Sequence, residues 1–317
     1  MPLKSSRVGF EMERRSPRGR RGGAPERGRP NGAQARQAVR SPRRPGIPAA
    51  GLHYNRSFLT RTDRDEILAW LGTIQPIWEK KFSKHNPPPP GDTQRSLLRP
   101  IYWLGNWQFA CLRYYMPPKG TLNRCVRAES FPPVLRRLVD KIEKTVRQMF
   151  RGDDLPKGWH FNTCLVNLYG NKIENGKEID CARVGEHKDL EPGPVASISL
   201  GERALFQFVE SHSHGDRSTV VVEQWLDDGS LQIFGGERWK SELFHRVQRV
   251  DGRGGYTFPV SVEGFETRRL NFTFRFVPDE HIVPYARLSP EAREDVREYM
   301  EKLAERSVYF SRELGEE

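Results

Sequence analysis

Cysteine is scarce in this chain and never closely paired. Cys111, Cys125, Cys164 and Cys181 are the four present, with no Cys-x-x-Cys spacing. That argues against a cysteine zinc site and a disulfide framework. It leaves reduced thiols, as expected of a cytoplasmic protein. Long apolar runs are missing as well. None approaches the roughly 20 residues of a membrane helix, so no membrane partner is expected. Beyond residue 50, an excess of either charge is also missing: 39 Lys/Arg stand against 38 Asp/Glu. Nearly all of the net +11 comes from residues 1–50, with 13 Lys/Arg and 3 Asp/Glu. That tail is rich in Arg, Gly and Pro and poor in large apolar residues, so it cannot bury a core and is expected to be disordered. As a basic arm it adds sequence-blind affinity for phosphates. The other readings are a transit peptide, which Glu11, Glu13 and Glu26 fit poorly, and a segment upstream of a later start such as Met12.

What the chain does have is periodicity. Helices are predicted over Thr62–Leu71, with Thr62 as cap, and from a Ser130 cap to Phe150. The second carries an apolar stripe of Leu135, Leu138, Val139, Ile142, Val146 and Met149. A last helix is predicted from Ser289-Pro290-Glu291 to about Arg312. Between 161 and 278, short strand-like runs alternate with turns: Cys164–Tyr169, Val195–Leu200, Ala204–Val209, Thr219–Trp225, Ser230–Phe234 and Arg269–Val277. Many short strands with Gly-rich turns indicate a double-sheet jelly roll. The fold class is thus α+β, mostly β, with a double-stranded β-helix core flanked by N-terminal helices and a C-terminal helix. Expected divisions are a tail to 50, an N-terminal extension 51–160, the jelly roll 161–278 and the terminal helix 279–317.

The most telling run is Arg269-Leu270-Asn271-Phe272-Thr273-Phe274-Arg275. In a strand, alternate side chains share a face. Leu270, Phe272 and Phe274 make an apolar face. Arg269, Asn271, Thr273 and Arg275 make a face of cations and donors. Such a face points either to water, as on an ordinary half-exposed strand, or to an anion gripped by the arginine forks. Upstream stand His187-Lys188-Asp189, and His245 after 55 intervening residues. In an extended segment His187 and Asp189 project the same way, and a second imidazole completes a two-His, one-carboxylate triad. That donor set leaves coordination positions open and marks non-haem Fe(II) oxygenases.

With these pieces in order, the sequence resembles the AlkB group of Fe(II)- and 2-oxoglutarate-dependent dioxygenases. The resemblance rests on Asn167-Leu168-Tyr169, His187-Lys188-Asp189-Leu190-Glu191-Pro192, Ser197-Ile198-Ser199-Leu200-Gly201, Phe206-Gln207-Phe208, Gly235-Gly236, His245 and the Arg269–Arg275 run. It covers roughly residues 96–278. It implies an Fe(II) site at His187, Asp189 and His245, with 2-oxoglutarate and O2 as cosubstrates. It implies that Arg269 grips the far carboxylate of 2-oxoglutarate and that Arg275 lies nearer the iron. Asn167 and Tyr169 add hydrogen bonds, with Asn271 and Thr273 supporting.

The resemblance further implies oxidative demethylation of alkylated bases in DNA, with RNA as the other candidate polymer, in DNA repair; nothing in the sequence suggests more than a monomer. The base must be flipped out or single-stranded to reach the metal. Glu191 stands where base-repairing relatives place an acid that accepts from an exocyclic amino group. The alternative is a solvent-facing Glu. In the aromatic stretch 99–116, Trp103, Trp107 and Tyr115 are candidates to stack on the base, or else core residues. Lys172–Glu178 is a polar, hairpin-like insertion that bears on the mouth of the pocket. His212 and His214 read as loop residues rather than a second metal cluster. Two other functions compete. One is the same chemistry on a protein side chain or small molecule, which a near-neutral folded part permits. The other is a binding module with a degenerate metal site, which the intact ligand set and both arginines oppose.

Overall fold

The computed structural model describes residues 50–85, 87–91, 97–112, 115–116, 120–121, 125–210, 218–249 and 255–315. The basic tail up to residue 49 and the loop bearing His212 and His214 lie outside the described residues.

Two antiparallel sheets face each other. The larger runs in the order Leu52–Asn55, Ser230–Phe234, Val195–Gly201, Phe265–Arg275, Thr163–Glu174 and Ile101–Leu104. The smaller runs Val220–Leu226, Ala204–Val209, Phe244–Arg249 and Val184–His187. This is the jelly roll expected from the strand spacing. The strands Ala204–Val209 and Ser230–Phe234 have the predicted bounds. Thr163–Glu174 continues beyond its predicted end at Tyr169, because the polar insertion extends the strand. It turns at Asn175-Gly176, where φ is 52° and 73°, and returns as Lys177–Asp180. Left-handed φ at both turn residues is what an Asn-Gly hairpin supplies.

The outer face of the larger sheet is apolar and covered by helices. Phe272 packs on Trp70, and Phe274 on Phe131 and Phe161. Helix α1 (Arg61–Leu71) buries Ile67 and Leu71. Its cap is Thr60 rather than Thr62. Thr60 Oγ1 accepts from the Asp63 amide at 3.1 Å and Asp63 Oδ2 accepts from the Thr60 amide at 3.2 Å, a reciprocal capping box. Helix α2 (Pro133–Met149) buries Leu135, Leu138, Val139, Ile142 and Val146, the predicted stripe. It starts at Pro133 and not beyond a Ser130 cap. A residue preceding proline is held extended, and proline itself suits the first helical position. The expected single terminal helix is two, α3 (Pro290–Ala304) and α4 (Val308–Leu314). Ser307 marks the break, donating from its hydroxyl to Glu129 at 2.6 Å. The main core draws on the N-terminal segment, the larger sheet and the C-terminal helices together. No helix among the described residues is long and apolar enough to cross a membrane.

One buried acid sits in this core. Glu79 accepts from the Trp107 indole N–H, and its other oxygen lies 3.5 Å from the Ala110 amide. Burial pushes its carboxyl up from 4.5 to about 8. The folded chain therefore holds a proton that the unfolded chain releases near the ordinary carboxyl value. Stability is fully present below about pH 4.5 and falls as pH rises through about 8, by on the order of a few kcal/mol. Urea denaturation across this range should show a weaker pH dependence for Glu79→Gln than for wild type. Identical slopes in the two proteins would exclude a protonated Glu79.

Candidate active site

The larger sheet turns its polar face inward. Register sets the rows: Arg269 lies opposite Tyr169 and Gly201, Asn271 opposite Asn167 and Ser199, Thr273 opposite Ser197. All four polar residues of the strand are buried, with Arg269 only 3% exposed, so the half-exposed alternative is excluded. They line a cavity of about 110 Å³ between the sheets, with Asn167, Tyr169, His187, Asp189 and His245.

Three donors converge at one end. His187 and His245 stand opposite each other on neighbouring strands of the smaller sheet, their rings 4.2 Å apart. His245 Nε2 is 3.4 Å from Asp189 Oδ2, and one ligand atom from each of the three residues lies within 4.8 Å of the others. His187 Nδ1 donates to the Gly185 carbonyl at 2.8 Å, which orients the ring as metal-binding imidazoles commonly are. Burial, with His245 adjacent, pushes the His187 imidazole down to about 4, so it keeps a lone pair at neutral pH. Burial opposes ionisation of Asp189, but Arg275 and His245 hold its carboxyl well below the usual range. Two imidazoles and a carboxylate suit an Fe(II) ion and leave positions open. Phe206 stacks on His245, ring centres 5.4 Å apart, and Phe234 stands edge-on, keeping this end dry.

The other end fits a carboxylate. Arg269 Nη2 donates to Ser199 Oγ at 3.0 Å. Its Nε and Nη1 are buried with no hydrogen-bond partner among the described residues. A buried guanidinium with two idle donors is costly unless an anion fills the space. Asn271 is fixed by Ser197 at 2.6 Å, and Thr273 donates to Asn271 Oδ1 at 2.6 Å. Sequence reasoning missed Arg99, which follows no strand pattern. Its guanidinium lies 4.8 Å from the centre of the Tyr169 ring, as Arg269 does on that ring too. Its Nε donates to Asn167 Oδ1 at 3.0 Å, so the Asn167 amide N–H2 is the free end.

Arg275 does not reach toward the Arg269 end. Its Nε and Nη2 donate to Asp189 Oδ1 at 3.0 and 2.6 Å, and Nε lies 3.5 Å from Glu191 Oε2. Glu191 is buried rather than solvent-facing, and its Oε1 accepts from Gln108 Nε2 at 2.9 Å. Lys240, also missed, buries its ammonium without a hydrogen-bond partner among the described residues, within electrostatic reach of Asp189 and Glu191.

Two of the three stacking candidates are core residues. Trp107 is fully buried, stacked on Phe109 at 4.4 Å and edge-on to Phe310. Trp103 is buried in the strand beside Leu165. Neither lines the cavity, because the extension's own core needed large apolar side chains. Tyr115 lies in the short strand Tyr115–Met116, and its side chain is outside the described residues.

No curated protein matches this chain. Among solved structures, OsALKBH1 is 24% identical, covering 73% of this chain and all of its own, with a TM-score of 0.45. A 2OG-Fe(II) oxygenase family oxidoreductase from Burkholderia pseudomallei is 12% identical, over 71% and 84% of the two chains, TM-score 0.35. The Escherichia coli ribosomal oxygenase YcfD, in complex with cobalt and 2-oxoglutarate, is 14% identical over 56% and 46%, TM-score 0.24. These likenesses are too slight to argue from. The sequence profile of the 2OG-Fe(II) oxygenase superfamily, in contrast, matches residues 51–275. That span is most of the chain and holds every strand around the cavity, and the protein belongs to this superfamily.

Proposed function

We propose that this oxygenase demethylates alkylated nucleic-acid bases of the 1-methyladenine and 3-methylcytosine type, in DNA repair and on RNA as well if the strand is accessible. His187, Asp189 and His245 would hold Fe(II), and Arg269, Asn167 and Tyr169 would hold 2-oxoglutarate. When bound, the iron and its cosubstrate supply oxidation of an N-methyl carbon that then leaves as formaldehyde. The chain supplies orientation and dryness: Arg275 fixes the Asp189 carboxylate, Ser199 and Tyr169 fix Arg269, and Phe206 and Phe234 exclude water.

The observation that supports a base substrate is the Gln108–Glu191 contact. Beside the triad, the Glu191 carboxylate accepts from an –NH2 group at 2.9 Å. The exocyclic amino group of a flipped adenine or cytosine offers the same donor, and its cationic methylated form suits a carboxylate. A base would displace Gln108 from this oxygen. The burial of Trp103 and Trp107 favours a second reading, the same chemistry on a protein side chain or small molecule, since neither ring offers a stacking platform.

The test is mass spectrometry on single-stranded DNA and RNA oligonucleotides carrying either lesion, with Fe(II), ascorbate and 2-oxoglutarate. Wild type is expected to remove one CH2 and His187→Ala none. Consumption of 2-oxoglutarate without that loss would discard the base assignment and leave the second reading.

A further inference from the structure

A second recess lies outside the catalytic cavity. It is an open groove of about 320 Å³ between the start of α2, the strand Cys125–Arg127 and the turn Asp279–His281. Two exposed arginines, Arg127 and Arg136, line it. Neither guanidinium forms a hydrogen bond or ion pair with any described residue. Arg136 is nonetheless placed, lying 4.9 Å over the Phe131 ring, so its N–H edges face outward. The 17-residue helix α2 begins at the same place with no side-chain cap and no acid in its first turn, leaving its positive end uncompensated. Asp279 is the one acid among the lining residues. The balance therefore favours an oxyanion, and two guanidinium forks suit phosphate geometry.

The groove is tied to the active site by two short links. Asn106 lines it, and Gln108, two residues on, is the partner of Glu191. Asn162 lines it too, and its amide donates to the carbonyl of Arg275 at 3.2 Å. The groove therefore lies at the Arg275 end of the sheet, whose other face carries the side chain that holds Asp189. We propose that the groove binds a phosphodiester of the strand whose base enters the cavity. This rests on the nucleic-acid reading above. It gives the near-neutral folded part a local phosphate contact separate from the basic tail.

The experiment is fluorescence anisotropy of a labelled single-stranded oligonucleotide on the full chain, titrated at several salt concentrations. The Arg127→Ala/Arg136→Ala variant is expected to bind about tenfold more weakly at ~0.1 M salt, with the slope of log affinity against log salt reduced by roughly 0.7 per lost phosphate contact. Arg127→Lys/Arg136→Lys should recover most of that slope. Turnover of a methylated nucleoside, which has no phosphate, should be equal in wild type and variants. Unchanged affinity and slope would overturn the proposal, as would equal losses on oligonucleotide and nucleoside. Inorganic phosphate that raises the melting temperature of wild type but not of the alanine variant, with oligonucleotide affinity untouched, would make the groove a free-anion site and overturn the strand assignment. Arginine-dependent binding without demethylation would uphold the groove and sink the function proposed above.

Discussion

Arg269→Met is expected to raise the 2-oxoglutarate concentration for half-saturation by about 100-fold, with metal affinity close to wild type. Truncating one partner of a buried charge pair costs about 2–5 kcal/mol, and each 1.4 kcal/mol is about tenfold in affinity. The side chain has no carboxylate hydrogen-bond partner among the described residues. Among the described residues Nε and Nη1 have no hydrogen-bond partner, and Nη2 donates to Ser199. The same facts predict an opposite effect on the empty protein. There the guanidinium is a buried cation, and burial already lowers its pKa. Methionine keeps much of the volume without the charge, so the ligand-free variant should melt no lower than wild type. Isothermal titration of 2-oxoglutarate into the Mn(II)-loaded proteins separates the cases. Equal affinity in both would place the far carboxylate elsewhere. Arg99, near the same Tyr169 ring and bonded to Asn167, would be the first alternative.

The contrast between Arg269 and Arg99 shows what the sequence could carry. Arg269 was legible because strand alternation put it on one face with Asn271, Thr273 and Arg275, and the cavity lies on that face. Arg99 precedes a proline in an irregular segment, so no period reports its direction; only the folded loop brings it to Tyr169. The same limit explains the tryptophans. A Trp that clamps a base and a Trp that fills a core look alike in sequence. What decides Trp107 is Glu79, which receives its indole N–H from 28 positions away and lies where no periodicity was visible. Strands bounded by Gly-rich turns were placed closely, since a run of alternating or fully apolar residues has few other options. Helix starts were less legible. Thr60 and Thr62 both precede acids, and only the reciprocal bond between Thr60 and Asp63 picks the cap. The terminal helix breaks at Ser307 because Glu129 offers its hydroxyl a partner across the core, a long-range cause that local pattern does not contain.

Arg275→Met is expected to give the other large effect, and of a different kind. Two N–H groups of Arg275 hold one oxygen of Asp189, and Glu191 Oε2 lies 3.5 Å away. Its removal leaves two buried carboxylates, with the His245 ring and the Lys240 ammonium still near Asp189. Breaking a buried pair by deleting one partner costs about 3–5 kcal/mol, so the metal-free variant should be destabilised by that order at neutral pH. The sign of the pH dependence follows from Asp189. In wild type its carboxyl is held well below the ordinary value. It therefore contributes stability above about pH 4 that is lost as pH falls through the depressed value. Without Arg275 burial pushes the Asp189 carboxyl up instead, so the variant takes up a proton as pH falls from neutral, and its deficit is largest at neutral pH and shrinks toward about pH 4. Mn(II) affinity should be weaker than in wild type, because a proton now competes for Asp189. The same Mn(II) concentration should therefore raise the melting temperature of the variant less than that of wild type. Chemical denaturation with and without Mn(II), at about pH 7 and about pH 5, tests each part. A deficit equal at both pH values and insensitive to Mn(II) would mean that Arg275 only fills space. The two arginines of one strand face then differ in kind. Loss of Arg269 removes the grip on the cosubstrate and spares the metal. Loss of Arg275 loosens the metal ligand itself, and the cosubstrate is lost only as a consequence.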